Sequence, residues 1–245
     1  MFAADLLGLS PWLVVFALVI VVIGSATQAS IGVGLGLLAA PTLSLIDPGF
    51  VPGALAVSVV PLTVGMTLRE RDHIDRGIYR AVVGRFIGVL IGAYIVADAS
   101  PDLIATVIGA SVLLAVAGSL TGVKFAPSPR NLLIAGTASG FTGTVASIGG
   151  PPMALTYQHA DPRALRASLA AFNTLGSVFT IPALVIAGVI GVRELQLAAL
   201  LVPGVLIGLL IGRIGVARLP ANRIRPFVLL ACTISATVLL AEQFV

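Results

Sequence analysis

Apolar residues gather into eight long segments, at about 12–45, 50–68, 79–97, 102–121, 131–158, 167–190, 195–216 and 226–243, with short polar stretches between them. Runs such as 11–24, 81–97 and 103–120 approach or reach the roughly 20 residues that carry a helix across a bilayer core. The first and fifth segments do not fit a single crossing. An unbroken helix over 12–45 would be roughly 50 Å long, far more than the hydrocarbon thickness. Both also hold helix-weakening residues in their middles: Gly24, Gly32, Gly34 and Gly36 in the first, and Gly140, Gly143, Gly149, Gly150, Pro151 and Pro152 in the fifth. Each is read as two short helices meeting at a turn. The second arm near 152–159 is short enough to favour a re-entrant hairpin, and the first half is left open between re-entrant and spanning. The pattern therefore predicts an all-α integral membrane protein of about ten helical pieces.

Composition agrees. Of 245 residues, 58% are hydrophobic and 10% charged, against about 25% charged in an average soluble protein. Almost nothing is left to build a soluble domain. The first ten residues contain Asp5 and no Lys or Arg, so the positive n-region of a signal peptide is missing. A net charge of +4 reads as a topology signal rather than as a nucleic-acid surface. The lone Cys232 excludes an internal disulfide, a dithiol redox pair or a cysteine metal cluster, and is expected to be a buried, inert thiol.

The arginines test the count of crossings. With eight unbroken spans, loops 69–80 and 213–225, each carrying four Arg, would face opposite sides. If the first and fifth segments are hairpins, loops 69–80, 122–130, 159–166 and 213–225 share one side. That side then holds Arg69, Arg71, Arg76, Arg80, Lys124, Arg130, Arg163, Arg166, Arg213, Arg218, Arg223 and Arg225, and the other keeps only Arg193 among basic loop residues. The positive-inside rule makes the Arg-rich side cytoplasmic and both termini periplasmic in a bacterial inner membrane.

The two halves share ordered points of likeness. The stretch 28–41 matches 139–152, Asp47-Pro48 corresponds to Asp161-Pro162, and 87–92 corresponds to 207–212. With five helical pieces per half, a first repeat at 1–122 and a second at 131–245, joined by a cytoplasmic linker at 123–130, have opposite orientations. Transporters built from inverted repeats place broken helices at the repeat interface, where substrate binds near the membrane midplane. The repeated Gly84/Gly88/Gly92 and Gly204/Gly208/Gly212 need no such role, because small residues at i, i+4 serve close helix packing.

Irregular backbone survives in the membrane only inside protein or beside a water-filled cavity. The expectation is that Ser30 caps one half-helix and exposes the N–H groups of Gly32 and Val33, while Ser147, Gly149 and Gly150 play the matching part ahead of Pro151. Half-helix N-termini carry orphan donors and partial positive charge, which favours an anion. Gln28, Ser30, Ser139, Thr142, Thr144 and Ser147 add neutral hydrogen-bonding groups, although each hydroxyl can equally bond back to its own helix. Asn173 and Arg85 stand at similar depth from the cytoplasmic end. Arg85 either complements the anion or snorkels to headgroups. The acidic residues fall in predicted loops or at segment ends, and His73 and His159 in cytoplasmic loops, so no intramembrane proton relay is legible. No phosphate-cradling loop, cofactor motif or metal-ligand cluster is present.

At these residues the chain resembles the TauE/SafE sulfite exporter family, also called the toluene-sulfonate uptake permease family. The resemblance covers nearly the whole chain and rests on its size, its duplicated four-segment hydropathy and the Gly/Ser-rich motif near the start of each half. The family's paired signature maps to 28–41 and 139–152, the first copy having Gly32, Gly34 and Gly36 spaced by apolar residues instead of a denser glycine run. It implies a carrier of sulfite, sulfonates or related organosulfur anions. The leading expectation is a secondary transporter exporting a small sulfur-containing anion by alternating access, with that anion and the lipid bilayer as partners, no nucleic acid, and a homodimer left open. An anion channel, or an importer of a sulfonate or carboxylate, is the alternative. An intramembrane enzyme lacks a carboxylate pair, a metal cluster or a Ser–His pairing to support it.

Overall fold

Prolines open many of the helices, because a first-turn residue needs no partner for its N–H and loses nothing by lacking one. The computed structural model describes residues 7–121, 126–157, 160–215 and 221–242, with side chains described outside 119–121, 215 and 221–228. The helices are α1 (Pro11–Ile31), α2 (Leu35–Ile46), α3 (Gly53–Ser58), α4 (Val60–Glu70), α5 (Ile78–Ala97), α6 (Pro101–Thr121), α7 (Pro129–Val145), α8 (Pro151–Tyr157), α9 (Pro162–Ile186), α10 (Val192–Gly215) and α11 (Ala221–Ala241). Between α3 and α4 the axis runs on, since the Val59 N–H reaches Leu55 and the Thr63 N–H reaches Val59. Pro61 interrupts the ladder because it has no N–H to give. With α3 and α4 as one span, the pieces number ten among the described residues.

Among the described residues, six segments are long and apolar enough to cross a membrane: Pro11–Ile31, Pro48–His73, Ile78–Ala97, Pro101–Gly118, Pro162–Ile186 and Val192–Ile214. Their outward faces leave large apolar side chains such as Leu90, Leu114, Val178, Ile186 and Leu210 uncovered, which in water would be an aggregation surface and in a bilayer is the lipid contact. The protein is an all-α, multi-pass membrane protein.

The anomalous segments break where the sequence predicts, but not into two short arms. α1 has 21 residues, a full crossing, and α7 has 17. Only the second arms are short: α2 is about 18 Å long at the helical rise, and α8 has 7 residues. Neither second arm, as described, has the roughly 20 residues of a full helical crossing. α9 begins at Pro162 instead of 167, because the Asp161 carboxylate accepts from the N–H groups of Arg163 and Ala164 and so caps the helix five residues earlier.

Glycine stripes set the two tightest packings. Gly84, Gly88 and Gly92 of α5 lie against Leu133, Thr137 and Thr144 of α7, so the two helices run parallel. Gly204, Gly208 and Gly212 of α10 lie in the same sense against Leu18, Val22 and Ala26 of α1. At the backbone contacts with Leu133, Thr137 and Val22 an added Cβ would fall within 3.0 Å of a carbonyl oxygen, closer than real Cβ atoms come. The small residues therefore do serve packing.

These directions fix the two ends of the bundle. The finish of α4, the start of α9 and the finish of α1 meet, since Glu70 bonds Arg166 and Gly32 lies against Leu165 and Arg166. The starts of α5 and α7 and the finish of α10 lie at the same end. Arg69, Arg71, Arg76, Arg80, Arg130, Arg163, Arg166 and Arg213 gather there. Lys124, Arg218 and His159 lie outside the described residues, as does most of the first half of the expected 123–130 linker, and nothing is described of the Arg223 and Arg225 side chains. At the opposite end Arg193 pairs with Asp47. The helix pairings map onto one another when the halves are exchanged: α1 with α10 answers to α7 with α5, and α2 with α11 answers to α8 with α6, while α4 with α9 and α6 with α11 answer to themselves. The core between the halves holds Leu35, Leu43, Leu62 and Ile108, with Cys232 fully buried among them.

Candidate functional site

α1 ends because Gly32 takes a left-handed conformation (φ 93°) and turns its N–H back to the Gln28 carbonyl, 2.8 Å away. After Val33 and Gly34 the chain reverses into α2. The Gln28 side chain spans the gap, its Oε1 accepting from the Leu35 N–H at 3.1 Å. The next two first-turn N–H groups, of Gly36 and Leu37, find no acceptor among the described residues.

The second break is built alike. The Ala146 and Ile148 N–H groups reach the Thr142 carbonyl, and the Thr142 hydroxyl donates across the gap to the Ile148 carbonyl at 2.7 Å. Thr142 thus stands where Gln28 stands in the first half. They are 114 positions apart, as are Asp47 and Asp161, which both cap the element that follows. The sequence match of 28–41 with 139–152 was therefore three residues out of register. Three residues are close to a full helical turn, so the apolar face looked the same in either alignment.

The two tips meet. A Cβ at Gly36 would strike the Ser147 carbonyl oxygen, and one at Gly150 would fall 2.9 Å from Cγ1 of Val33. Beside this contact lies a cavity of about 60 Å³, room for a few water molecules or one small oxyanion. Gln28, Gly32, Val33, Ser147, Gly149, Gly150, Asn173 and Arg85, all singled out in the sequence, line it.

Arg85 supplies its only formal charge. The side chain is 5% exposed, so it does not snorkel. Its Nη1 donates to Asn173 Oδ1 at 3.0 Å, and its guanidinium carbon lies 4.7 Å from the centre of the Phe172 ring. The group rests on Gly176 of α9, with Gly143 and Gly149 on its other flank. A Cβ at 176 would sit within 3.0 Å of three Arg85 atoms. The Nε donor is buried without a partner, and none of the three ion pairs among the described residues includes Arg85. A buried, unpaired cation is costly. An anion in the cavity would offset that cost.

Four expected residues lie elsewhere. Ser30 caps nothing: it is inside α1, and its hydroxyl donates to the Ala26 carbonyl at 2.8 Å, turned toward α10. Gln28 does the capping, because its longer side chain reaches the Leu35 N–H at the start of α2. Thr144 bonds back to Gly140, and the one proton of the Thr142 hydroxyl lies between the Ile148 and Ala138 carbonyls. Ser139 is fully buried with an unpaired hydroxyl but does not line the cavity. Ser147 does line it, yet its hydroxyl is held by the Pro52 carbonyl at 2.9 Å. Gly32 spends its N–H on capping α1. The expected pairing of two half-helix N-termini is also unequal. Pro151 and Pro152 deprive α8 of its first two donors, whereas α2 keeps its own.

Sequence reasoning missed Gly176, Ser177 and Thr180. They follow Asn173 at i+3, i+4 and i+7, a polar and small stripe along one face of an otherwise apolar helix, and that stripe was the available signal. Arg166, expected in a loop, lies inside α9 and is buried in a 3.0 Å ion pair with Glu70.

A family model described as "Sulfite exporter TauE/SafE" matches residues 16–239, nearly the whole chain. No curated protein and no solved structure matches the chain.

Proposed function

The chain belongs to the sulfite exporter TauE/SafE family, and from that premise we propose that it is a secondary transporter whose small sulfur-containing anion, sulfite or an organosulfonate, occupies the cavity at the meeting of the two breaks. The family is one of membrane transporters and not of enzymes. The observation that carries the reading is Arg85: a guanidinium buried in the cavity, on a helix long and apolar enough to cross a membrane, and in no ion pair among the described residues. The free first-turn N–H groups of α2 add donors and a partial positive charge on the facing wall.

In this reading residues 1–122 and 131–245 are inverted repeats that rock against each other around the cavity. Residues 85 and 205 occupy equivalent places in the repeated glycine stripes. The second is Val205, so the charge comes from one repeat alone. The Arg-rich end faces the cytoplasm of a bacterial inner membrane and the termini face the periplasm. An inside-negative potential then drives a monoanion outward by about 2.3 kcal/mol per 100 mV, which is the direction of export.

Reconstitution tests this. Proteoliposomes should show saturable sulfite or sulfonate flux with counterflow. Arg85→Gln should lower the flux at least tenfold while Arg85→Lys keeps part of it. Unchanged flux in Arg85→Gln removes the site, and pore-like rates without counterflow remove the carrier mechanism. In a Cys232→Ala background, cysteines at positions 71 and 98 should label from the cytoplasmic and the periplasmic side respectively, and the reverse pattern overturns the orientation.

A further inference from the structure

Arg85 is the only ionisable residue among those lining the cavity. Every element packed around it contributes neutral groups: Gln28 from α1, the backbone of α2, Val59 ahead of α4, Gly143 from α7, and Asn173 with Ser177 from α9. The nearest charges along α9 belong to the Arg166–Glu70 pair, seven residues toward the helix start, and they neutralise each other at 3.0 Å. The site therefore carries one net positive charge in a setting that solvates charge poorly.

Resting on the reading of this cavity as the anion site, we infer that the bound and transported species is a monoanion, such as hydrogen sulfite or an alkanesulfonate, and that dianions are rejected. A monoanion against Arg85 leaves the filled cavity neutral. A dianion leaves one buried negative charge with no cation to meet it, and buried charges are tolerated only when paired. The neutral donors of Asn173 and of the α2 first turn orient oxygens but do not remove a second charge. For a sulfur(IV) oxyanion, whose second proton titrates near neutrality, the protein then selects the protonated form. Export of that form carries a proton out with each sulfur without any titrating side chain in the membrane.

The test compares three probes on purified full-length protein in nanodiscs, by thermal shift and by isothermal titration. Methanesulfonate is a monoanion and sulfate a dianion over the whole range from pH 6 to pH 9, and sulfite changes from one to the other within it. Methanesulfonate should stabilise the protein with a Kd independent of pH. Sulfate should bind at least a hundredfold more weakly. The apparent Kd of sulfite should rise about tenfold per pH unit once its dianion predominates, since only the shrinking monoanion fraction binds. Sulfate, or sulfite at pH 9, binding as tightly as methanesulfonate overturns the inference while leaving the cavity as an anion site. If Arg85→Gln binds methanesulfonate as well as the parent protein, or if none of the three anions binds, the site reading itself falls and the inference with it.

Discussion

The seat of Arg85 can be tested through a residue that carries no chemistry. Gly176→Ala places a Cβ where Nε, Cζ and Cδ of Arg85 now lie, and no other atom is among its three nearest neighbours. The side chain has α7 and α9 on its flanks and the cavity beside it, so the added methyl group drives it toward the cavity. It must leave Asn173 and the Phe172 face. The lost hydrogen bond to a charged group is worth about 1.5–3 kcal/mol, and the desolvated cation–π contact about 2 kcal/mol. Alanine returns about 1 kcal/mol through its better helix propensity. The net destabilisation should be about 3 kcal/mol, read from chemical denaturation in detergent, together with loss of anion binding. Gly65→Ala is the control, because its Cβ meets only the flexible tip of Leu209, and it should be near neutral. The decisive measurement is a double-mutant cycle. In an Arg85→Ala background the three atoms nearest the added methyl group are gone, so Gly176→Ala should become neutral or stabilise by about 1 kcal/mol. If Gly176→Ala costs the same with and without Arg85, the clash is not the cause and the described seat is wrong.

Two further predictions concern the ends of the bundle. Glu70 and Arg166 bury their side chains to 15% and 9% exposure, so Glu70→Gln or Arg166→Met alone, each leaving an unpaired buried charge, should cost about 3–5 kcal/mol, and the double substitution should recover most of it; equal or additive losses would show that the pair acts separately. At the other end, burial pushes the Asp47 carboxylate up, but the Arg193 hydrogen bond, the Gly49 N–H and the Arg193 charge outweigh it and hold the group below its ordinary value. A depressed carboxylate stabilises above its unfolded pKa and loses that contribution as pH falls through its folded one, so stability should drop below about pH 4. Asp47→Asn should flatten that part of the melting-temperature profile, and an unchanged acid limb would count against the coupling.

How the sequence and the tertiary structure divide the work is clear at particular residues. Membrane residence, the pieces of the chain, the places where α1 and α7 stop and the grouping of arginines at one end follow from local facts: apolar run length, glycine and proline in mid-segment, and the cost of carrying a guanidinium through lipid. Each depends on a few neighbouring residues, so a one-dimensional reading reaches it. The two glycine stripes were legible for the same reason, and the Asp-Pro pairs were legible as matching points of the halves but not as caps. What the sequence left undecided depends on helix rotation and on partners up to about a hundred residues away. Ser30 and Thr144 look like ligands until the i−4 carbonyl of their own helix takes their hydrogen. Arg85 reads equally well as a snorkelling residue until α9 arrives with Phe172, Asn173 and a bare Gly176 to receive it. Arg166 counted as a loop charge until α4 brought Glu70 beneath it. A buried charge finds its place only when several helices close around it, and that is a property of the packed bundle alone.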